Sequence, residues 1–233
     1  MFRYSKTLAF GVGFAALALA GAAAAAVGSY PAMVPIEQYR VADEAALARS
    51  AAPPSISKDA QVLVLGAKGY EIAAKGTNGF VCIVERSWAN DFANAEFLNP
   101  MVHGPICFNP ASARSVLPTY LTRTQWVLAG VPKGQLLERT KAAVAAHRIV
   151  APEAGAMCYM LSKGGYLGDE AAGGHWRPHL MFFTPHTPAA SWGANLPGAP
   201  VMGGDDPGVD PATVFYVVVG AWSDGTPAEP MKM

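Results

Sequence analysis

Residues 69–88, "GYEIAAKGTNGFVCIVERSW", decide how this chain is assembled. Two extended runs flank "KGTNG", and Asn78-Gly79 suits a turn that needs positive φ. The stretch reads as a β-hairpin with residues 70–74 and 80–86 as its arms. Glu85-Arg86, at the end of the second arm, is either a functional pair or a solvated salt bridge.

Working outward, "QVLVLG" (61–66) is a further extended run. Upstream, residues 34–52 read as a helix, because Ile36, Tyr39, Ala46 and Leu47 share a stripe and charged residues occupy the rest. "PPSIS" then breaks it. Downstream, residues 88–103 keep no period and contain Pro100, so they form a long loop. Trp88, Phe92, Phe97 and Leu98 give that loop apolar anchors, and a loop of this length in a compact domain is often functional, here as a candidate cover for a cleft. "GPICFN" makes a short strand.

Asn109 is a good N-cap and Pro110 fits the first helical position, so a helix follows, with Pro118 expected to kink or split it. Gly130 and Pro132 close it and start a second helix over "PKGQLLERTKAAVAAH", which makes an αα-hairpin. Three extended runs come next, at 156–162, 179–185 and 213–220, with a Gly- and Pro-dense loop at 192–211 between the last two. The fold expected is α+β, a largely antiparallel sheet with an inserted αα-hairpin, in one domain over residues 27–233.

The N-terminus carries an address. "MFRYSK" supplies two positive charges and "TLAFGVGFAALALAGAAAAA" is an unbroken apolar run, the pattern of a secretory signal peptide over residues 1–26. Ala24-Ala25-Ala26 offers a cleavage site before Val27. The competing reading is an uncleaved anchor, since the run approaches the ~20 residues that span a bilayer. Cleavage takes Arg3 and Lys6 away and leaves slightly more acids than bases, without a basic face that would point to nucleic acid. Only 15% of residues are charged and no later apolar run can span a membrane. The expectation is a periplasmic or secreted protein that holds no membrane after cleavage.

An oxidising compartment favours disulfides. Cys82 in "GFVCIV" and Cys107 in "GPICFN" lie in strand-like runs on either side of the long loop, and a bond between them would staple it at both ends. The alternative is three reduced, buried thiols. Cys158, in "GAMCYML", is then the odd thiol or a nucleophile.

Three of the five histidines fall in "GGHWRPHLMFFTPH" (173–186). His175 and His179 have a spacing that chelates a metal on one helical face. The two glycines, Pro178 and the strand-like "HLMFF" argue for extended chain instead, where their Cα atoms stand ~13 Å apart at ~3.3 Å per residue. A metal would then need a sharp turn at Arg177-Pro178 and help from Asp169 or Glu170. No metal set and no cofactor motif is assigned: "GAKGYEIAAKG" lacks the glycine order that cradles phosphates, and "SISK" (55–58) lies in a Pro-broken linker where the S-x-x-K of penicillin-recognising enzymes needs a helix.

At "GTNGFVCIVERSW", "PICFNP", "AMCYMLS" and "PHLMFF" the chain resembles a group of uncharacterised exported bacterial proteins, over roughly residues 36 to 226. The resemblance implies export and a shared fold and carries no activity or catalytic residue. Two functional readings stand. The first is a binding or accessory domain whose cleft is lined by Trp88 and its loop on one side and by His175, Trp176 and Arg177 on the other, with Glu85 and Arg86 nearby. Aromatics with one cation there suit a small organic anion or a sugar. The second is a hydrolase using His175 or His179 with a metal or with Cys158.

Overall fold

A run of apolar residues without alternation belongs inside a sheet, buried on both faces. "QVLVL" is such a run, and its position organises the molecule. The computed structural model describes residue 30 and residues 32–168, 177–204 and 208–229. In it, β1 (Gln61–Leu65) pairs antiparallel with β2 (Tyr70–Ala74) and parallel with β3 (Val81–Arg86). The expected hairpin between 70–74 and 80–86 does not form, because β1 lies between its two arms.

The Asn-Gly signal is right about the backbone and wrong about the pairing. Gly79 has φ +77°, but the chain from 75 to 80 passes round the start of β1 instead of folding back on β2. Gly76 permits the crossing, since a Cβ there would lie 2.1 Å from the Gln61 nitrogen. Asn78 pins it: Nδ2 donates to the Ile56 carbonyl and Oδ1 accepts from the Phe80 N–H. Burial explains the choice. β3 is buried along nearly its whole length, so it needs strands on both sides, whereas β2 leaves Ile72 59% exposed and suits an edge.

The remaining strands are β4 (His103–Phe108), β5 (Met157–Met160), β6 (His179–Thr184), β7 (Val201–Gly203) and β8 (Thr213–Val218). The order is β2-β1-β3-β4-β5-β6-β8-β7, and every neighbouring pair except β1 and β3 is antiparallel. The fold is thus α+β on one largely antiparallel sheet. β7 was expected as loop. Three residues of the Gly- and Pro-dense segment pair with β8 through main-chain bonds, which need no apolar pattern.

The helices are α1 (Glu44–Arg49), α2 (Pro54–Ser57), α3 (Pro110–Ser115), α4 (Leu117–Leu128) and α5 (Lys133–Ala145). The single helix expected over 34–52 is broken into a 3-10 turn at Ile36–Tyr39 and α1. Asp43 breaks it, with φ +48° and its side chain accepting from the Ala46 N–H as an N-cap. "PSIS" is a helical turn, not a linker, with Pro54 at its start. Asn109 caps α3 through the Ser112 N–H, and the chain breaks at Val116 so that Pro118 enters the first turn of α4, where no N–H is required.

Side chains alternate across the sheet. One face carries Ile83, Ile106, Phe108, Cys158, Met160, Met181 and Phe183 against Val116 and Leu117 of the α3–α4 region. The opposite face carries Val62, Cys82, Val84 and Cys107 against Ala48 of α1 and Ala51 and Ala52 just after it, whose small side chains let this segment approach closely. Cys82 and Cys107 are directly opposed in β3 and β4 and are bonded to each other. Cys158 is a free, buried thiol. Among the described residues no helix is long and apolar enough to cross a membrane, and residues 1–26 lie outside them.

The disulfide closes a sequence separation of 25 residues. By loop-closure entropy it is worth about 3 kcal/mol. Cys82→Ala/Cys107→Ala is expected to lose at least that much in urea unfolding. Thiol titration after unfolding without reductant should find one free cysteine; three would contradict the bond.

Candidate functional site

Glu85 and Arg86 are neighbours on β3 and therefore point to opposite faces. They form neither a functional pair nor a solvated bridge with each other, which corrects the reading of this dipeptide. Arg86, 1% exposed, turns toward α1. Its Nη2 donates to Glu44 Oε2 at 2.8 Å, its Nε donates to the Tyr39 carbonyl at 2.8 Å, and its Nη1 reaches the Val84 carbonyl. Glu44 Oε1 accepts the Leu65 N–H. Every charge here has a partner, so Arg86 is a strut that ties α1 and the preceding 3-10 turn to β1 and β3.

Glu85 faces the other way, toward α3 and α4, and is 7% exposed. Its partner across β4 is Gly104, and the carboxylate lies over that glycine: a Cβ at 104 would come 2.7 Å from Glu85 Oε1. No described residue donates a hydrogen bond to it. Burial without a compensating cation pushes its carboxyl up to about 8.

The carboxyl lies at the edge of a cavity of about 570 Å³. The sheet forms one wall with Met181, Phe183, Val214 and Tyr216. Facing it is a helical stripe, Ser115 and Val116 followed by Thr119, Tyr120 and Arg123 on α4. The start of the long loop, Ala89–Phe92, and residues 208–212 form the rim. Gly203 and Gly204 belong to the rim as well, and a Cβ on either would run into Val214 or the Phe215 ring.

Among the described residues Arg123 is the single basic residue of the lining, and its Nη2 donates to both oxygens of Asp210, at 2.6 and 2.8 Å. Its guanidinium also sits 4.6 Å from the Phe92 ring centroid. This pair clamps residues 208–212 to α4. Tyr120 and Tyr216 are both raised, first by burial and then by the Glu85 charge, Tyr216 to about 12 and Tyr120 well above the usual phenol range. Both hydroxyls are therefore neutral hydrogen-bonding groups at physiological pH.

The other expected site residues fall elsewhere. Trp88 does not line the cavity; it is 1% exposed, packs in a tilted contact with Tyr39 at 5.0 Å between ring centroids and donates Nε1–H to Thr124 Oγ1. It anchors its loop on α4 while residues 89–92 reach the rim. His175, Trp176, Asp169 and Glu170 lie outside the described residues. Arg177 is exposed, donates to the Glu229 carbonyl, and borders a shallow apolar depression with His179, Met202, Tyr216 and Val218. Tyr216 belongs to both this depression and the cavity, so the two adjoin.

His179 opens β6, where its Nδ1 bonds the Arg177 carbonyl and its ring packs 5.8 Å from Tyr216. Burial holds its pKa below the usual imidazole value. Cys158 is fully buried in the core, and burial raises its thiol well above the ordinary range, which disfavours the thiolate that a nucleophile needs. Among the described residues no three His, Cys, Asp or Glu side chains gather as a metal set.

Val81, Ile83 and Glu85 share one face of β3, and that period of two was the available signal for Glu85: an acid in a core-facing position. The stripe on α4 had a helical period but was readable only as core. Asp210 and Tyr216 carried no signal.

Glu85 keeps its proton to about pH 8 in the fold but only to about 4.5 when exposed. Between those values the folded state binds more protons, so this group lowers stability as pH rises through that window. Glu85→Gln is expected to match the parent near pH 4.5 and to be more stable than it at pH 8, checked by melting curves across that range. Parallel curves would contradict the burial argument. On the opposite face, Arg86→Met strands a buried Glu44 and is expected to cost about 3–5 kcal/mol.

Comparison with protein-family models, with curated proteins and with solved structures found no match to this chain.

Proposed function

We propose that this is an exported protein that binds a small molecule, and that its site is the cavity between the sheet and α4. One observation carries the reading: a carboxyl group more than nine-tenths buried, with no partner among the described residues, opens into a space the size of a small organic ligand. Desolvating a carboxyl costs several kcal/mol when nothing is bonded to it. A fold that keeps such a group beside an open cavity leaves it ready for a ligand.

The walls favour certain chemistry. Apolar side chains and the Phe183, Tyr120 and Tyr216 rings supply contact area, while Thr119, Ser115 and the tyrosine hydroxyls supply neutral polar groups. An organic anion is a poor fit, since the lining arginine already holds Asp210. A sugar or another uncharged polar molecule, or a cation, is compatible with these walls. The leader sequence over residues 1–26 together with the Cys82–Cys107 bond supports export.

Benzyl alcohol in excess is expected to shift NMR signals of Thr119, Phe183, Val214 and Tyr216, and Thr119→Trp, which fills the space, should abolish those shifts. Shifts confined to Arg177 and Val218 would instead locate binding in the shallow depression. Mass spectrometry of the exported protein should find Val27 as its first residue; an intact Met1 would sink the export reading.

A further inference from the structure

We infer that the ligand of this cavity is an organic cation, an amine or ammonium compound, whose positive group is held by Glu85 with aromatic rings around its apolar part. The inference rests on the cavity being the binding site and adds the charge of what enters it.

The argument starts from charge that has no counterpart. Four charged residues among those described line the cavity: Glu85, Asp91, Arg123 and Asp210. Arg123 and Asp210 cancel each other at 2.6 Å, which leaves two acids and no uncommitted base among the described lining residues. Asp91 is exposed at the rim and already accepts the Ala93 N–H, while Glu85 is buried and accepts from none of the described residues. The arrangement therefore offers one rim carboxylate and one deep carboxylate along the same opening.

Geometry defines where the positive group would sit. Glu85 is held over Gly104, where any Cβ would meet the carboxylate, so the carboxyl reaches across β4 instead of packing against a neighbouring side chain. The rings of Tyr120, Phe183 and Tyr216 surround the same space. Ring faces attract cations, and a carboxylate among rings is a recurring way of holding an ammonium group. Once Glu85 ionises, above about pH 8, an uncharged ligand would leave the carboxylate unpaired and an anion would be repelled by it, so a cation is the ligand that gains from the charged form.

Cation binding is coupled to a proton. In the free protein Glu85 carries its proton up to about pH 8, so an entering cation must displace it. The groups that feel the Glu85 charge are Tyr120 from α4, Tyr216 from β8, Cys158 from β5 and Tyr70 from β2, and all four are raised and stay protonated between pH 6 and pH 8. His179 on β6 is lowered and stays neutral over most of that window. Asp91, Arg123 and Asp210 are the other charged groups of the lining among the described residues. Glu85 is thus the group whose titration shapes the affinity. For a site competent only when ionised, affinity rises about 50-fold from pH 6 to pH 8 and then levels off.

The test compares benzylamine, benzyl alcohol and sodium benzoate by titration calorimetry on the full chain at several pH values. Benzylamine is expected to bind at least tenfold more tightly than benzyl alcohol at pH 8, to release close to one proton per site at pH 6, and to strengthen with pH as above. Benzoate is expected not to bind. Glu85→Gln should bring benzylamine down to the level of benzyl alcohol while leaving benzyl alcohol binding in place, which shows that the variant is folded and its cavity intact. Equal affinity of the amine and the alcohol, or an amine affinity that does not change with pH, would overturn the cation inference while leaving the binding site standing. Failure of all three probes to bind would overturn both.

Discussion

A β-strand sends consecutive side chains to opposite faces, and in β3 that rule separates an acid from the base beside it. Arg86 goes to the α1 face and finds Glu44, the Tyr39 carbonyl and the Val84 carbonyl. Glu85 goes to the α4 face and finds no hydrogen-bond donor among the described residues. The fold satisfies one buried ionisable group completely and leaves the next without a partner among the described residues. Much of the molecule's organisation follows from this split, because the Arg86 face is closed and alanine-lined while the Glu85 face is held open.

Three devices keep the second face open. Gly104 removes the side chain that would otherwise lie under the Glu85 carboxylate. The break at Val116, which puts Pro118 in the first turn of α4, sets Thr119, Tyr120 and Arg123 along the far wall. The Arg123–Asp210 pair holds the loop before β8 at the rim, and its partial burial gives it more weight than an exposed pair would have. On the closed face the Cys82–Cys107 bond joins β3 to β4, and the Trp88–Thr124 hydrogen bond ties the start of the long loop to α4.

Much of this was legible in the chain and part was not, for identifiable reasons. Strands over "QVLVL", "GPICFN", "HLMFF" and "TVFYVVV" carried β-branched and aromatic residues, and Asn109-Pro110 marked a helix start by its own chemistry. The Cys82–Cys107 pairing followed from two cysteines in flanking strands. The order of β1, β2 and β3 did not, since Asn78-Gly79 specifies a local turn and the insertion of β1 between β2 and β3 is a long-range choice made by burial. β7 escaped for the converse reason, being held by main-chain bonds that leave no trace in residue type. At the site, Glu85 was visible as a residue but was assigned to the wrong partner. The local pairing of opposite charges in sequence outweighed the period of two. Trp88 looked like a cleft wall and is instead an anchor, because an indole with a hydroxyl within reach of its N–H is well satisfied inside a core.

The central claim is that Glu85 is buried without a counter-charge and opens to the cavity. Its own titration tests this most directly. With glutamate side chains labelled at the carboxyl carbon, and the Glu85 signal assigned by its absence in Glu85→Gln, the midpoint is expected at about pH 8 in the free protein. A midpoint near the ordinary glutamate value of about 4.3 would mean that solvent or an unseen cation already satisfies the group, and would contradict the account.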